Sequence, residues 1–169
     1  MADRLHESAL VQFSVRLTNS AAFGTLFREG MDLVEETAAY LDGDGRNEAK
    51  ALERSVSLTY ATESMRLTTR LMQLASWLLL HRAVKEGEMT LTQANREKTK
   101  VKLSAADPGP DDMITKLPQQ LQDLISRSMN LQSRVRRLDT SIHAPATERA
   151  PIGNPLVPQL NRLKAAFER

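Results

Sequence analysis

The chain has 169 residues, a length that favours a single domain, and its formal net charge is only +2. It contains no cysteine, which excludes disulfides and thiolate metal sites, and the charge alone is too small to indicate nucleic-acid binding. Aromatic residues make up only 4% of the sequence, so its core must consist mainly of Leu, Met and Ala, a composition that favours helices over sheets.

The first predicted helix follows residues 1–19, which we expect to be poorly ordered. Asn19 or Ser20 can cap it, because a side-chain oxygen there accepts a hydrogen bond from a free backbone N–H. The sequence DGDG, residues 42–45, ends the helix and turns the chain. Its apolar residues recur at the helical intervals of three and four. They are Phe23, Leu26, Phe27, Met31, Val34, Ala38 and Leu41.

A long central helix is predicted next, from about Arg46 to Glu86, with Gly87 as its stop and a length of roughly 60 Å. On a helical wheel its apolar residues fall on two nearly opposite faces, separated by a polar strip. The first face comprises Val56, Tyr60, Leu67, Leu71, Leu74 and Leu78. The second face comprises Leu58, Ala61, Met65, Met72, Leu79 and Ala83. The polar strip comprises Arg66, Arg70 and Gln73.

The second apolar face needs a cover, because a helix in a monomeric bundle usually requires only one apolar stripe. Either the other helices of the chain wrap around both faces, or a second copy of the chain packs there. We favour the second copy. The polar strip is expected to be solvated or to pair with acids such as Glu63. The predicted dimer interface consists of Leu58, Met65, Met72 and Leu79.

Two further helices are predicted before the tail. Thr90 and Gln93 have the spacing of a capping box and indicate a short helix, which is followed by a loop containing Pro108 and Pro110. A third long helix begins near Pro118, since proline suits a first helical turn, and ends near Asp139. Its apolar face comprises Leu117, Leu121, Leu124, Ile125, Leu131, Val135 and Leu138. The sequence thus predicts an all-α domain over residues 1–139, an antiparallel three-helix bundle.

The remaining residues, 140–169, form a proline-rich segment that cannot be one continuous helix, and we expect it to be flexible. Its final stretch, PQLNRLKAAFER, has the pattern of one short amphipathic helix. We predict that this end contacts a partner, although an inert tail is the alternative. The predicted contact residues are Leu156, Val157, Leu160, Leu163 and Phe167.

The sequence carries no catalytic or metal-binding motif that we can identify. Asp42, Asp44 and Glu53 fit three positions of a calcium loop, but Arg46 and Asn47 stand where a ligand and a glycine belong. An inter-helix turn therefore explains this segment better. The three histidines are far apart and none lies at metal-ligand spacing, so we interpret His81 as a residue at the edge of the core. We expect no enzyme, no cofactor and no metal site.

Two other functions compete with an interaction protein. The basic stretches TQANREKTKVKL and SRVRRL suggest a nucleic-acid-binding regulator, but the turn of a helix-turn-helix is missing. A small-molecule site lined by Met65, Met72 and Trp77 is a weaker alternative. No apolar run approaches the roughly 20 residues of a membrane span, and the charged N-terminus is unlike a secretory signal, so a cytoplasmic protein is expected.

Four stretches carry a family resemblance: EGMDLVEETAAYLDGDGR, YATESMRLTTRLMQLASWLLLHRAVKEGEMT, REKTKVKL and LPQQLQDLISRSMNLQSRVRRLD. Together, over roughly residues 20–139, they resemble the DUF1465 family of alphaproteobacteria. The resemblance implies a homodimeric three-helix bundle with a flexible C-terminal tail and without an active site. It further implies a non-enzymatic adaptor that links cell-cycle transcription regulators to the ClpXP protease.

The same resemblance implies a set of partners. The protease is first primed by a CpdR-like response regulator, and a PopA-like effector that binds cyclic di-GMP extends the chain of adaptors to further protein cargo. Family members gather with the protease at a cell pole. The resemblance implies neither nucleic-acid binding nor membrane insertion, and it supplies no catalytic residue to carry over.

Overall fold

A computed structural model describes residues 21–100 and 110–143, and within them the chain forms six helices and no strand. This confirms the all-α prediction. Three helices are long and three are short. They are α1 (Ala21–Asp42), α2 (Asp44–Lys50), α3 (Arg54–Lys85), α4 (Leu91–Lys100), α5 (Asp111–Ile114) and α6 (Gln119–His143).

The three long helices contact one another in pairs, with α3 in contact with both α1 and α6. Along α3 and α6 the contacts advance together, from Arg70 with Ser128 to Trp77 with Asp139, so these two helices run in the same direction. Helix α1 runs opposite to both, since its N-terminal Phe23 lies against Trp77. The short helices α4 and α5 lie on the long connection between the two parallel helices.

The core lies between the long helices and is dominated by leucine, as the composition predicts. Trp77 is its largest fully buried side chain. The seven predicted apolar residues of α6 are buried or partly buried, and so are those of α1 except Ala38, which is exposed. The buried leucines are Leu26, Leu33, Leu67, Leu71, Leu74, Leu78, Leu117, Leu121, Leu124 and Leu131.

The central helix is shorter than predicted, because the stretch assigned to its first turns forms the separate helix α2. Glu53 precedes α3 with an extended backbone, φ −59° and ψ 153°, and this redirects the chain. The turn lets Ala49 and Leu52 pack against the core. The Tyr40 hydroxyl also donates a 2.6 Å hydrogen bond to Glu48. One straight helix would carry these groups away from the core, which explains the break.

The other predicted ends are close to those observed. Gly87 follows α3 with φ 75°, a left-handed conformation that favours glycine. The capping box of α4 is formed. The backbone N–H of Gln93 donates to the Thr90 hydroxyl at 3.2 Å, and the backbone N–H of Thr90 donates to the side-chain oxygen of Gln93 at 2.9 Å. Helix α6 continues to His143, beyond the predicted end at Asp139, because Ile142 is also buried in the core.

Several sequence predictions fall outside the described residues. They are the lead-in at 1–19, most of the loop at 101–109, and the tail beyond 143 with its contact residues Leu156, Val157, Leu160, Leu163 and Phe167. Among the residues that the structure does describe, no helix is both long and apolar enough to cross a bilayer.

Candidate interaction surface

The residues of α3 follow a seven-residue repeat that separates its inner and outer sides. Buried residues recur at alternating intervals of three and four, the pattern of a helix that packs along one line of contact, which we call the seam. This seam comprises Tyr60, Glu63, Leu67, Arg70, Leu74, Trp77 and His81, and the neighbouring Val56, Leu71 and Leu78 are buried as well. In this repeat, the positions diametrically opposite the seam normally carry polar side chains. Here all four of these positions are apolar.

These four residues, Leu58, Met65, Met72 and Leu79, define the outer line. They are spaced by seven, so they follow one another along the helix over about 32 Å. Their side chains are 71%, 72%, 67% and 52% exposed. In the described part of the chain, the only other exposed large hydrophobic residue is Met129 on α6, at 37%. The described helices therefore cover the inner face of α3 and leave the predicted second face open.

Small side chains border the outer line, and three of their hydroxyl groups are already paired with the backbone. Thr62, Thr68 and Ser76 donate to the carbonyl oxygens four residues earlier, at 3.0, 2.8 and 2.8 Å. Covering these hydroxyls would therefore break no hydrogen bond to the protein. Because the neighbours are short, another helix can approach the α3 backbone closely. The outer line is consequently an apolar surface about one helix wide.

The predicted polar strip is partly buried rather than solvated, and the alternative expectation, pairing with Glu63, is confirmed for Arg66. Arg70 is only 4% exposed and donates a 2.8 Å hydrogen bond to the Ser128 hydroxyl of α6. Glu63 is also buried, and its carboxylate bonds Arg66 at 2.6 Å. Burial lowers the pKa of the Arg70 guanidinium, whereas the nearby Glu63 carboxylate opposes that change. Arg70 thus links the inner side of α3 to α6, and Glu63 lies beside it on the same side of α3.

The sequence did not predict the partial burial of the cluster of Glu63, Arg66 and Arg70, because charges three and four residues apart on a helix usually pair in solvent. The signal that finds it is the repeat itself, since Glu63 and Arg70 occupy seam positions between Tyr60 and Trp77. A charged residue on a buried seam must be paired inside the protein. The cluster stabilises the arrangement of helices and offers no open site for a ligand.

A second polar contact fixes α4 beside the end of α3. The Asp139 carboxylate accepts a hydrogen bond from the Trp77 indole at 2.9 Å and from the Lys98 ammonium at 2.6 Å. The His81 ring contacts Trp77 in a tilted arrangement, with centroids 4.0 Å apart, and it is buried, contrary to its predicted place at the edge of the core. Trp77 therefore belongs to the inner side of α3.

The small-molecule site predicted from Met65, Met72 and Trp77 is not formed. The two methionines lie on the outer line and are exposed, whereas Trp77 faces the core on the opposite side of the same helix. These side chains cannot line one cavity. An open groove that includes Leu58 of the outer line lies at the start of α3 and is lined by Glu53, Arg54, Ser55, Ser57, Leu58 and Ala61. It continues the apolar surface at one end.

Residues 42–53, which match part of the calcium-loop pattern, are mostly helical. Asp42 pairs with Arg46 at 2.9 Å, and Asp44 is the first residue of α2. Burial and the bond to Glu48 raise the pKa of Tyr40, so this phenol stays protonated as the donor at the elbow between α1 and α2. Within residues 21–100 and 110–143, no three His, Asp or Glu side chains are grouped as metal ligands.

The basic character of α6 is partly neutralised by α1, which weakens the nucleic-acid interpretation. Arg134 pairs with Glu29 at 2.6 Å and Arg127 with Glu36 at 2.8 Å. The hydrogen bond from Arg127 lowers the pKa of the Glu36 carboxyl. These carboxylates reduce the net positive charge that α6 offers to phosphates, which dominate the affinity of proteins for nucleic acids.

Comparison with known proteins identifies relatives of this chain. The sequence matches the family described as "Protein of unknown function (DUF1465)" over residues 14–167. It is also similar to a solved structure, the crystal structure of RcdA from Caulobacter crescentus CB15, at 52% sequence identity and a TM-score of 0.61. That match covers 73% of this chain and 92% of the RcdA chain. No curated protein matches the sequence.

Proposed function

This chain belongs to the DUF1465 family, and on that basis, with its 52% identity to RcdA, we propose that it regulates protein degradation as a non-enzymatic adaptor of the ClpXP protease. The observation that carries the proposal is the outer line. It is a long apolar surface on a helix whose opposite side already forms the core. Such a surface suits a protein that works by assembling other proteins.

The occupant that we propose for the outer line is a second copy of the chain. The line is uncharged and narrow, and its residue order, Leu, Met, Met, Leu, is the same in both directions. A symmetric dimer therefore sets each apolar side chain against another apolar side chain, whichever way the partner helix runs. A cargo protein would need its own matching apolar stripe of the same length.

The strength of such a dimer follows from the exposed fractions. Each of the four side chains has half to three quarters of its surface left to bury, which contributes about 1–2 kcal/mol per side chain. Two protomers together gain about 8–16 kcal/mol, against an association cost of about 4–15 kcal/mol. The small flanking residues add further buried area. With a gain of about 16 kcal/mol and a cost of about 8 kcal/mol, the dissociation constant would be on the order of micromolar.

As an adaptor, the dimer would offer each partner two identical surfaces. We propose that a CpdR-like response regulator primes the protease to receive it. A PopA-like cyclic di-GMP effector and the cell-cycle transcription regulators would bind as cargo, and the complex would gather at a cell pole. The tail residues Leu156, Val157, Leu160, Leu163 and Phe167 are the proposed contacts to a partner. A flexible tether would raise the effective concentration of what it holds near the protease.

The test is a degradation assay with purified components. ClpXP, the CpdR-like regulator and a cell-cycle substrate are mixed with and without this protein, and the loss of substrate is followed over time. The adaptor should accelerate degradation, and a chain truncated after residue 143 should do so less well if the tail contacts a partner. An unchanged rate of substrate loss with the full-length chain would refute the adaptor role.

A further inference from the structure

We propose that Met65 and Met72 are oxidation sites, and that their conversion to sulfoxides by hydrogen peroxide keeps the chain monomeric. The inference rests on the proposed dimer, since it requires a second copy to be excluded from the outer line. It adds a chemical control of assembly to that surface. The modified atoms are the Sδ atoms of the two central residues of the line.

The sequence confines sulfur oxidation to methionine. There is no cysteine, so the seven methionines are the only sulfur-containing residues. Among those described, Met65 and Met72 are 72% and 67% exposed, well above Met129 at 37%. Met31 packs against the core and is partly buried. Because oxidation of a thioether requires access to its sulfur, Met65 and Met72 should react before the other described methionines.

The reaction needs only peroxide as co-reactant. A lone pair on Sδ attacks one peroxide oxygen, and the O–O bond breaks as the S–O bond forms. The departing hydroxide takes up the proton of the transferred oxygen and leaves as water. The sulfur loses two electrons, which the peroxide gains. Methionine sulfoxide reductases reverse the change with electrons from thiols, so the modification is reversible in a cell.

Oxidation adds a strong acceptor to the outer line, where three of the bordering hydroxyl groups already donate to the backbone. A sulfoxide oxygen is a strong acceptor that must be hydrogen-bonded when it is buried. The nearby hydroxyls of Thr62, Thr68 and Ser76 already donate to backbone carbonyls. A symmetric dimer would bury four such oxygens, so its dissociation constant should rise on the order of 100-fold or more. The dimer in turn shields these sulfur atoms from peroxide. Because dilution favours the monomer, Met65 and Met72 should be oxidised faster in dilute protein.

The full-length chain is treated with hydrogen peroxide at protein concentrations below and above the dissociation constant of the dimer. Peptide mass spectrometry measures oxygen uptake at each methionine, and light scattering measures the molar mass. Met65 and Met72 should take up oxygen first and faster at low concentration, and the oxidised protein should have the mass of one chain. Treatment with methionine sulfoxide reductases should restore the dimer.

Matched variants separate oxidation of the outer line from damage elsewhere. The double variant Met65→Leu, Met72→Leu should dimerise and remain dimeric in peroxide, whereas Met129→Leu should dissociate as the wild type does. An untreated wild type that is monomeric at every concentration would refute the proposed dimer and this inference together. A wild type that dimerises, and stays dimeric after both methionines are shown to be oxidised, would overturn this inference alone.

Discussion

Replacing Met72 by Glu should convert the dimer to monomers while the fold is retained. Met72 is the best position at which to test the outer line, because its side chain is 67% exposed and contributes little to the core. Met and Glu have similar helix propensities, so the free energy of unfolding of the monomer should change by no more than about 0.5 kcal/mol.

The effect on the dimer is much larger. Each protomer loses about 1–2 kcal/mol from the burial of Met72, and enclosing an unpaired carboxylate costs several kcal/mol more. Taking about 3 kcal/mol as the least loss per protomer, the symmetric dimer loses about 6 kcal/mol. Since 1.4 kcal/mol corresponds to a factor of ten, the dissociation constant should rise on the order of 10,000-fold or more.

Light scattering coupled to gel filtration, run over a range of protein concentrations, measures this change. Circular dichroism should show the same helix content and nearly the same melting temperature for variant and wild type. Met72→Leu should remain dimeric, and Met129→Glu introduces the same charge on α6 without affecting the molar mass. A Met72→Glu variant that dimerises as tightly as the wild type would show that the outer line is not the interface.

Three further substitutions test contacts inside the fold. Glu63→Gln removes the carboxylate beside the buried Arg70 and should lower the free energy of unfolding, measured by urea titration, by about 3 kcal/mol. A loss under about 1 kcal/mol would contradict the burial of Glu63. Asp139→Asn should loosen α4 and shift the emission of Trp77, the single tryptophan, to longer wavelength; unchanged emission would show that α4 is held by other contacts. Gly45→Ala should lower the free energy of unfolding by about 1–3 kcal/mol, because the new Cβ would lie 2.8 Å from a backbone oxygen. Gly24→Ala places its Cβ where no atom lies within 4 Å, so it should stabilise α1. Equal effects of the two substitutions would refute this packing.

The division of α3 into two apolar faces could be predicted from the sequence, because burial follows the helical period. Tyr60 and Leu67 lie inside and Met65 and Met72 outside, as the wheel indicates. The same reasoning predicted the start of α6 and the cap of α4, where a single residue type determines the backbone geometry. These features depend on interactions between residues close in sequence.

The features that sequence reasoning missed depend on partners distant in the chain. Arg70 is buried because Ser128, 58 positions away, accepts its hydrogen bond. The break before α3 exists because Glu48 and Leu52 meet groups of the preceding helix and the core. The parallel direction of α3 and α6 likewise reflects a long connection and not any local signal. Periodicity identifies which side of a helix is covered, but it does not identify the element that covers it.

The placement of the outer line has a consequence for how folding and assembly are related. The seam that holds α3 in the core and the line proposed to bind a second copy lie on opposite sides of one rigid helix. Because no residue serves both, the dimer can dissociate without exposing the core. A dimer that divided a single core between two chains would unfold on dissociation. The interface can therefore be weakened in a cell, by partner competition or by oxidation, while each chain stays folded and ready to reassemble.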